Sequence, residues 1–260
     1  ASLTAPGAIV QSLIKIAAYA SYRNDVERKL FAQDRQHDGA LGIAGFVAAG
    51  LPPYASSDAF VETMKTADVP HPYDSHPPLL ERMRNVGHHV PESAYGAIVA
   101  TAPQASWADD IETAPAIEQR LWSDYEQRFV QNHELSLAYR YEPATEEERA
   151  VVLRHFPPVA FALKNSESIE VSHAGLRQSV DGGSTVGWDE VKDLTFQDNT
   201  FGDLLVVTHH DKGMLGARTT KLKVGGLGKQ KENFKGAVGR YWQRHQIMRA
   251  QQQHQASPEP

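Results

Sequence analysis

Cysteine is absent from the 260 residues, which excludes disulfide bonds, thiolate metal sites and a cysteine nucleophile. Apolar runs of about 18 residues are absent too, so the sequence predicts no membrane-spanning helix. The net charge of -6 leaves no general excess of basic residues, and nucleic acid is therefore not an expected partner. We expect a cytoplasmic chain.

The common single-motif signatures of enzymes are also missing. No H-E-x-x-H zinc motif occurs, because His133-Glu134 is followed by Leu137 where the second histidine would stand. No G-x-S-x-G, P-loop or G-x-G-x-x-G occurs either. We interpret the glycine-rich stretch from Val224 to Gly228 as a turn before a helix.

A helical pattern fills the first 150 residues. Apolar residues recur at helical spacing near the start, and Leu51-Pro52-Pro53 is expected to end that helical region near Gly50. A short helix is predicted at Ser57–Thr66. The longest helical pattern opens at Pro115, and we interpret its four-residue repeat as a face that packs in the core rather than a binding stripe; that face is Ile117, Leu121, Tyr125 and Phe129.

The composition changes after Pro157-Pro158, where the pattern becomes that of short strands. Residues 169–171 alternate, 204–208 form an apolar strand candidate, and turn signals separate such segments. Phe234, Val238, Tyr241 and Trp242 share one face of a closing helix. Residues 251–260 are predicted to be a disordered tail.

Two polar segments are candidates for chemistry. If Asp34, His37 and Asp38 lie on a helix, their spacing brings them to one face, as a partial metal site or simply as a solvated face. In Asp74-Ser75-His76, an oxygen caps the following helix, and His76 is either a ligand or proton carrier or packs beside the cap. The pairs His88-His89 and His209-His210 lack zinc-motif spacing.

Three blocks resemble the HtpX and CAAX prenyl protease family of zinc metallopeptidases. The first, residues 31–38, is similar to the helix that carries the family's third zinc ligand, a glutamate, followed four residues later by an aspartate. The resemblance implies Asp34 as the zinc ligand and Asp38 as the residue that orients it from the second shell. An alternative register puts Leu30 at the ligand position and Asp34 at the aspartate, which leaves no ligand.

The second block, residues 74–83, resembles the family's Thr/Ser-His-Pro-Pro-x-x-x-Arg segment, and the third, residues 105–129, resembles the helical region after it. In this family the two zinc-binding histidines and the general-base glutamate lie on an earlier helix, and the chain beginning at Ala1 has no such motif. The resemblance therefore implies a piece that is not catalytic alone. It would bind zinc only with an upstream H-E-x-x-H segment, which would also be its source of membrane association.

The region from 168 to 249 resembles a bacterial pleckstrin-homology-like domain. Between its first strands only Arg177 and, further away, Lys164 are basic, so lipid headgroup binding is not expected. Trp188 is interpreted as a core or lid residue rather than a ligand platform.

The sequence therefore predicts an α+β chain with three parts. Residues 1–150 are expected to form an all-α metallopeptidase-like half, and 158–250 a small β-barrel or sandwich closed by a helix, before the tail 251–260. The first functional hypothesis is the C-terminal part of a zinc metalloendopeptidase, with a protein or peptide substrate and a zinc-binding or membrane segment of the same protein as partners. The alternative is a non-catalytic binding or scaffolding protein with a degenerate peptidase half. An independent enzyme that uses Asp34, His37 and Asp38 is the third.

Overall fold

The computed structural model describes residues 5–37, 41–66, 79–102, 106–164, 166–179, 183–198, 202–213 and 216–256. Within these ranges the fold is α+β, with eight α-helices, seven strands in two antiparallel sheets, and all strands in the C-terminal half. The chain divides into two compact units, Ala1–Gln131 and Asn132–Pro260. No helix in the described ranges is long and apolar enough to cross a membrane.

The first unit is helical, and the boundary between the units falls within its last helix. The helices that begin in this unit are α1 Pro6–Phe31, α2 Ile43–Ala55, α3 Asp58–Thr66, α4 Leu79–Asn85, α5 Tyr95–Ala100 and α6 Ala114–Arg140. Pro6 occupies the first turn of α1, where its missing N–H costs nothing. Val10, Leu13 and Ile14 lie on the buried face of α1, as the apolar spacing predicts.

Helix α2 continues past the point where the sequence predicted its end. Pro52 and Pro53 lie inside the helix, although an internal proline removes a backbone hydrogen bond. Ala55 is buried in the core of this unit and Leu51 packs against that core, so tertiary packing outweighs the proline penalty. The expectation that Leu51-Pro52-Pro53 stops the helix is therefore wrong.

Helix α6 is where the sequence predicted a long helix, but half of its apolar stripe is not in the core. Ile117 is 41% exposed and Leu121 is 57% exposed, so the core interpretation is wrong for these two. The turns of α6 that follow Leu121 make contacts with other helices of the first unit through Glu126 and Phe129. Phe129 meets Phe31 edge to face at 5.8 Å, and the carboxylate of Glu126 accepts hydrogen bonds from the backbone N–H groups that open α2.

The second unit contains all the strands. The four-stranded sheet has the order β1-β2-β3-β4 and the three-stranded sheet has the order β5-β6-β7, both antiparallel. The strands are β1 Val159–Ala162, β2 Ser168–Ser172, β3 Gly175–Ser179, β4 Thr185–Gly187, β5 Val191–Gln197, β6 Leu204–Gly213 and β7 Gly216–Lys223. Helix α7, Glu146–His155, precedes them, and helix α8, Lys231–Ala256, follows them.

One hydrophobic core joins the elements of the second unit. It combines residues of both sheets with Phe234, Val238 and Tyr241 of α8, and it also includes Leu137 of α6 and Val152 of α7. Residues 132–157 therefore pack with the strands, although the sequence pattern predicts 132–150 as part of the helical half. Helix α8 includes residues 251–256, which the sequence analysis assigned to a disordered tail; glutamines at 251–253 are compatible with a helix.

Candidate functional site

Asp34, the predicted zinc ligand, lies beyond the end of helix α1. That helix ends at Phe31, and Asp34 is part of a bend. His37 turns back on the helix, and its Nε2 lies 3.2 Å from the carbonyl oxygen of Leu30, which also accepts a hydrogen bond from the backbone N–H of Gln33. Asp34 and His37 therefore do not share a helix face as the spacing suggested.

The metal site itself stays a prediction. Asp38, the residue expected to orient Asp34, lies outside the described residues, as do Asp74, Ser75 and His76. Across the described ranges, no group of three or more His, Asp or Glu side chains is arranged to hold a metal ion. Helix α4 begins at Leu79, where the described residues resume.

The adjacent pair His209 and His210 divides between a buried and an exposed position. His209 of β6 is buried, and its Nε2 lies 2.7 Å from Thr220 Oγ1 of β7. Its Nδ1 is 3.4 Å from a carboxylate oxygen of Glu190, without hydrogen-bond geometry. His210 is exposed, because successive residues of a strand point to opposite faces.

Glu134, part of the incomplete zinc-like pair in the sequence, has a structural role in the second unit. Its two carboxylate oxygens lie 2.5 Å from Arg154 and 2.7 Å from His155. Burial alone would raise the pKa of this carboxyl group, but hydrogen bonds to His155 and Arg154 lower it further than burial raises it. Glu134 therefore links α6 to α7 as a carboxylate.

A groove of about 500 Å³ opens in the second unit between the three-stranded sheet and α8. Trp242, His245 and Arg249 line it from one face of α8, at the three- and four-residue spacing that brings helical side chains together. Lys192 of β5 and His210 of β6 line it from the sheet. Its volume is within the range of small-ligand pockets, about 300–1,000 Å³.

Asp189 completes the groove from the short turn between β4 and β5. The turn is fixed by Trp188, which is 1% exposed and whose Nε1 donates a hydrogen bond to the carbonyl oxygen of Ser172 at 2.8 Å. This confirms the sequence interpretation of Trp188 as a core residue. Because the neighbouring indole is fixed, the backbone at Asp189 is held at the edge of the groove.

The charges in the groove are not tightly paired. Asp189 Oδ1 lies 3.7 Å from His245 Nε2 and 3.9 Å from an Nη atom of Arg249, which is beyond hydrogen-bonding distance. The His245 ring is 7% exposed and stacks on Trp242 with a centroid distance of 5.5 Å and an interplanar angle of 11°.

The protonation of His245 reflects this environment. Burial is the largest effect and lowers the pKa of His245 below its usual value, because a buried imidazolium loses hydration. Asp189 opposes this effect, and the neighbouring guanidinium groups of Arg249 and Arg244 reinforce it. At neutral pH the ring is therefore uncharged.

Arg244 lies on the opposite side of this part of α8 and belongs to the core. It is 1% exposed, its Nε donates to the carbonyl oxygen of Ala138 at 2.8 Å, and its Nη2 donates to that of Tyr141. These are carbonyl groups at the C-terminal end of α6, which a helix leaves without internal partners. Burial lowers the pKa of Arg244 to about 10.

Besides the groove in the second unit, there is a cavity of about 440 Å³ in the first unit, beside α4. Its lining is mainly apolar, with Leu80, Met83 and Tyr95, and it includes His88 and His89.

Sequence reasoning missed the residues of the groove. The helical spacing of Trp242, His245 and Arg249 is the signal that could have found them. The sequence interpretation used Trp242 only, as part of a helix face with Phe234, Val238 and Tyr241. Comparison of the chain with protein-family models, curated proteins and solved structures finds no significant match.

Proposed function

We propose that this chain is a binding protein and that its second unit is a pleckstrin-homology-like interaction domain. The support is architectural: a four-stranded and a three-stranded antiparallel sheet, connected in simple sequence order, are followed by one long helix that packs into their common core. On this proposal the two sheets form the small barrel or sandwich that the sequence predicts, with α8 closing it. The first unit then acts as a degenerate peptidase-like scaffold.

The ligand we propose is an extended peptide that adds a strand to β5 in the groove. The observation that carries the proposal is the position of β5, which in the described ranges pairs with β6 and lies at one edge of its sheet. An edge strand has unpaired backbone groups that bind an extended peptide. The first two residues of β5, Val191 and Lys192, line the groove opposite α8.

An irregularity in β5 also favours a site here. The register with β6 shifts between Val191 and Asp193, so Lys192 is the extra residue of a bulge. Bulges often re-aim a side chain next to a functional site. Lys192 is one of the side chains that line the groove.

The experiment is a screen of the full chain against an array of random nonapeptides, followed by hydrogen exchange with the best binder. Strand addition should slow hydrogen exchange at residues 191–197, because the backbone amides on the open edge of β5 gain hydrogen-bond acceptors from the peptide. Trp242→Ala and His210→Ala should each weaken binding about tenfold or more, as loss of contact residues does. Arg177→Gln, exposed on the other sheet, is the matched control and should bind normally.

Trp242 packs near Trp188, with ring centroids 5.9 Å apart, so Trp242→Ala could weaken binding by disturbing the fold. His210 is exposed, so loss of binding in His210→Ala is not explained by misfolding. Peptide binding that protects some other segment, or that both variants leave unchanged, would rule out this site.

The second candidate is the C-terminal part of a zinc metalloendopeptidase. What favours it is the specific segment from Asp74 to Met83, together with a helix that begins at Leu79. On this proposal Asp34 is the third zinc ligand, Asp38 orients it, and an upstream H-E-x-x-H segment supplies the other ligands and any membrane attachment. A catalytic zinc needs about three protein ligands and an open position for water.

The test joins an upstream segment with H-E-x-x-H from this peptidase family to the chain. Zinc-dependent cleavage of casein that Asp34→Ala abolishes, and that Asp110→Ala leaves intact, would support the candidate. A folded, zinc-loaded fusion without cleavage would eliminate it.

A further inference from the structure

We propose that the groove selects peptides that carry a carboxylate, which enters between His245 and Arg249 and displaces Asp189 from their vicinity. This inference rests on the proposed peptide site and adds the chemical class of its ligand. It assigns Asp189 the role of an internal occupant, a carboxylate of the protein itself that holds the position until the ligand's carboxylate replaces it.

The first argument is the charge of the lining. Lys192 and Arg249 are permanent cations, and Asp189 is the one acidic residue among the residues lining the groove. The fixed charges of the lining therefore sum to about +1 at neutral pH. An acidic ligand fits this balance better than a basic one.

The second argument is the geometry of Asp189. Its carboxylate lies near His245 and Arg249 but is too far from each for a hydrogen bond, at 3.7 and 3.9 Å. The pair of Asp189 and Arg249 is exposed on both sides, and exposed ion pairs contribute little to stability. The Asp189 side chain is 72% exposed, so moving it aside costs little burial.

The third argument is that one receiving group, the His245 ring, is already in place. It is buried and stacks on Trp242, whereas the Arg249 side chain is about half exposed and reaches the groove from one turn further along α8. Because the ring does not have to be ordered, binding of a carboxylate to it loses less conformational entropy. A guanidinium and an imidazolium both donate to a carboxylate, and such charged hydrogen bonds are stronger than neutral ones.

Proton uptake follows from the same arrangement. Burial keeps His245 neutral and Asp189 only partly opposes this, from 3.7 Å. A ligand carboxylate at hydrogen-bonding distance from the ring favours the imidazolium more strongly than the Asp189 carboxylate it replaces. The other charged groups that act on His245 are Arg244 and Arg249 on α8 and Glu142 after α6, and they remain when Asp189 leaves. Binding should therefore take up a proton and become tighter as the pH falls from 7.5 to 6.

The experiment uses the full chain and two pools of immobilised nonapeptides, identical except for a central glutamate or a central glutamine. We expect about tenfold tighter binding to the glutamate pool, the effect of about 1.4 kcal/mol. Asp189→Asn should tighten binding to that pool, and Arg249→Gln and His245→Gln should remove the preference for glutamate. Arg177→Gln is the control and should keep it.

The outcomes separate the two proposals. Equal binding of both pools would overturn the inference and leave the peptide site standing, whereas binding of neither pool would remove the peptide site itself. A second readout uses the same peptides free in solution and follows the ¹H–¹³C NMR signal of the His245 ring. The apparent pKa of the ring should rise with the glutamate peptides and not with the glutamine peptides. A glutamate preference without that rise would also overturn the proposed position of the carboxylate.

Discussion

Strands β3 and β4 approach each other closely at Gly175, the first residue of β3. Its φ is +155°, and a Cβ there would lie 2.1 Å from the carbonyl oxygen of Val186. Overpacking and backbone strain each cost about 1–3 kcal/mol, so Gly175→Ala should lower the free energy of unfolding of this unit by several kcal/mol. Urea unfolding measures it.

Gly236→Ala is the matched control for Gly175→Ala. Gly236 lies in α8 with nothing within 4 Å of a built Cβ, and alanine in a helix interior is about 0.5–1 kcal/mol better than glycine. The control should therefore be more stable than the wild type. A Gly175 variant as stable as the Gly236 variant would contradict the strand geometry described above.

The lowered pKa of His245 should make the free energy of unfolding depend on pH. Its pKa in the folded protein lies below the usual 6.5, with burial as the largest cause, so the unfolded chain binds more protons below that pH. The contribution of His245 to stability is then complete above about pH 6.5 and decreases as the pH falls towards the lowered folded pKa.

His245→Gln should therefore lose less stability between pH 7 and pH 5 than the wild type does. Chemical denaturation at several pH values measures this, and His254→Gln, exposed on the same helix, should retain the slope of the wild type. An identical slope in His245→Gln would mean that the ring is not buried in its neutral form.

At the scale of elements, the sequence patterns predicted whether a segment is a helix or a strand, and where it lies in the chain. They predicted less well which other segments it packs against. The spacing that predicted a helix at Ser57–Thr66 matches α3, Asp58–Thr66, and the alternation at 169–171 lies in β2. Local rules failed where packing decides. The proline rule failed at Pro52, and apolar periodicity failed on the outer face of α6. Periodicity reports which residues share a face, not what lies opposite that face.

Two leucines of α6 make this difference measurable. Leu121 is 57% exposed, whereas Leu137, further along the same helix, is fully buried. Leu121→Ala should change the free energy of unfolding by no more than about 0.5 kcal/mol, as surface substitutions do. Leu137→Ala should lower it by about 2–5 kcal/mol, because it leaves a cavity in the core.

Urea unfolding of both leucine variants tests the prediction, and each is the control of the other because the chemical change is the same. Equal losses would mean that Leu121 is buried in solution, as the sequence pattern suggested.

At the scale of the whole molecule, the candidate groove shows why a site is harder to predict than an element. Its lining comes from Asp189 and Lys192, from His210, and from the α8 residues 242–253. These segments are brought together by the two sheets and α8, and the local pattern of none of them contains that information. The α+β class was predictable because it depends on local periodicity, which each segment carries by itself.

The two units have separate cores, and a pair of identical substitutions tests their independence. Ile14 belongs to the core of the first unit and Ile169 to that of the second, and both are fully buried. Replacing isoleucine by valine typically costs about 0.5–1.5 kcal/mol. Because the two cores share no residue, Ile14→Val should lower the opening free energy of amides in residues 5–66, and Ile169→Val that of amides in residues 159–224, with neither affecting the other set. Hydrogen exchange with mass spectrometry gives both values in one experiment, and a loss of protection that spreads equally over both sets would show that the units unfold as one.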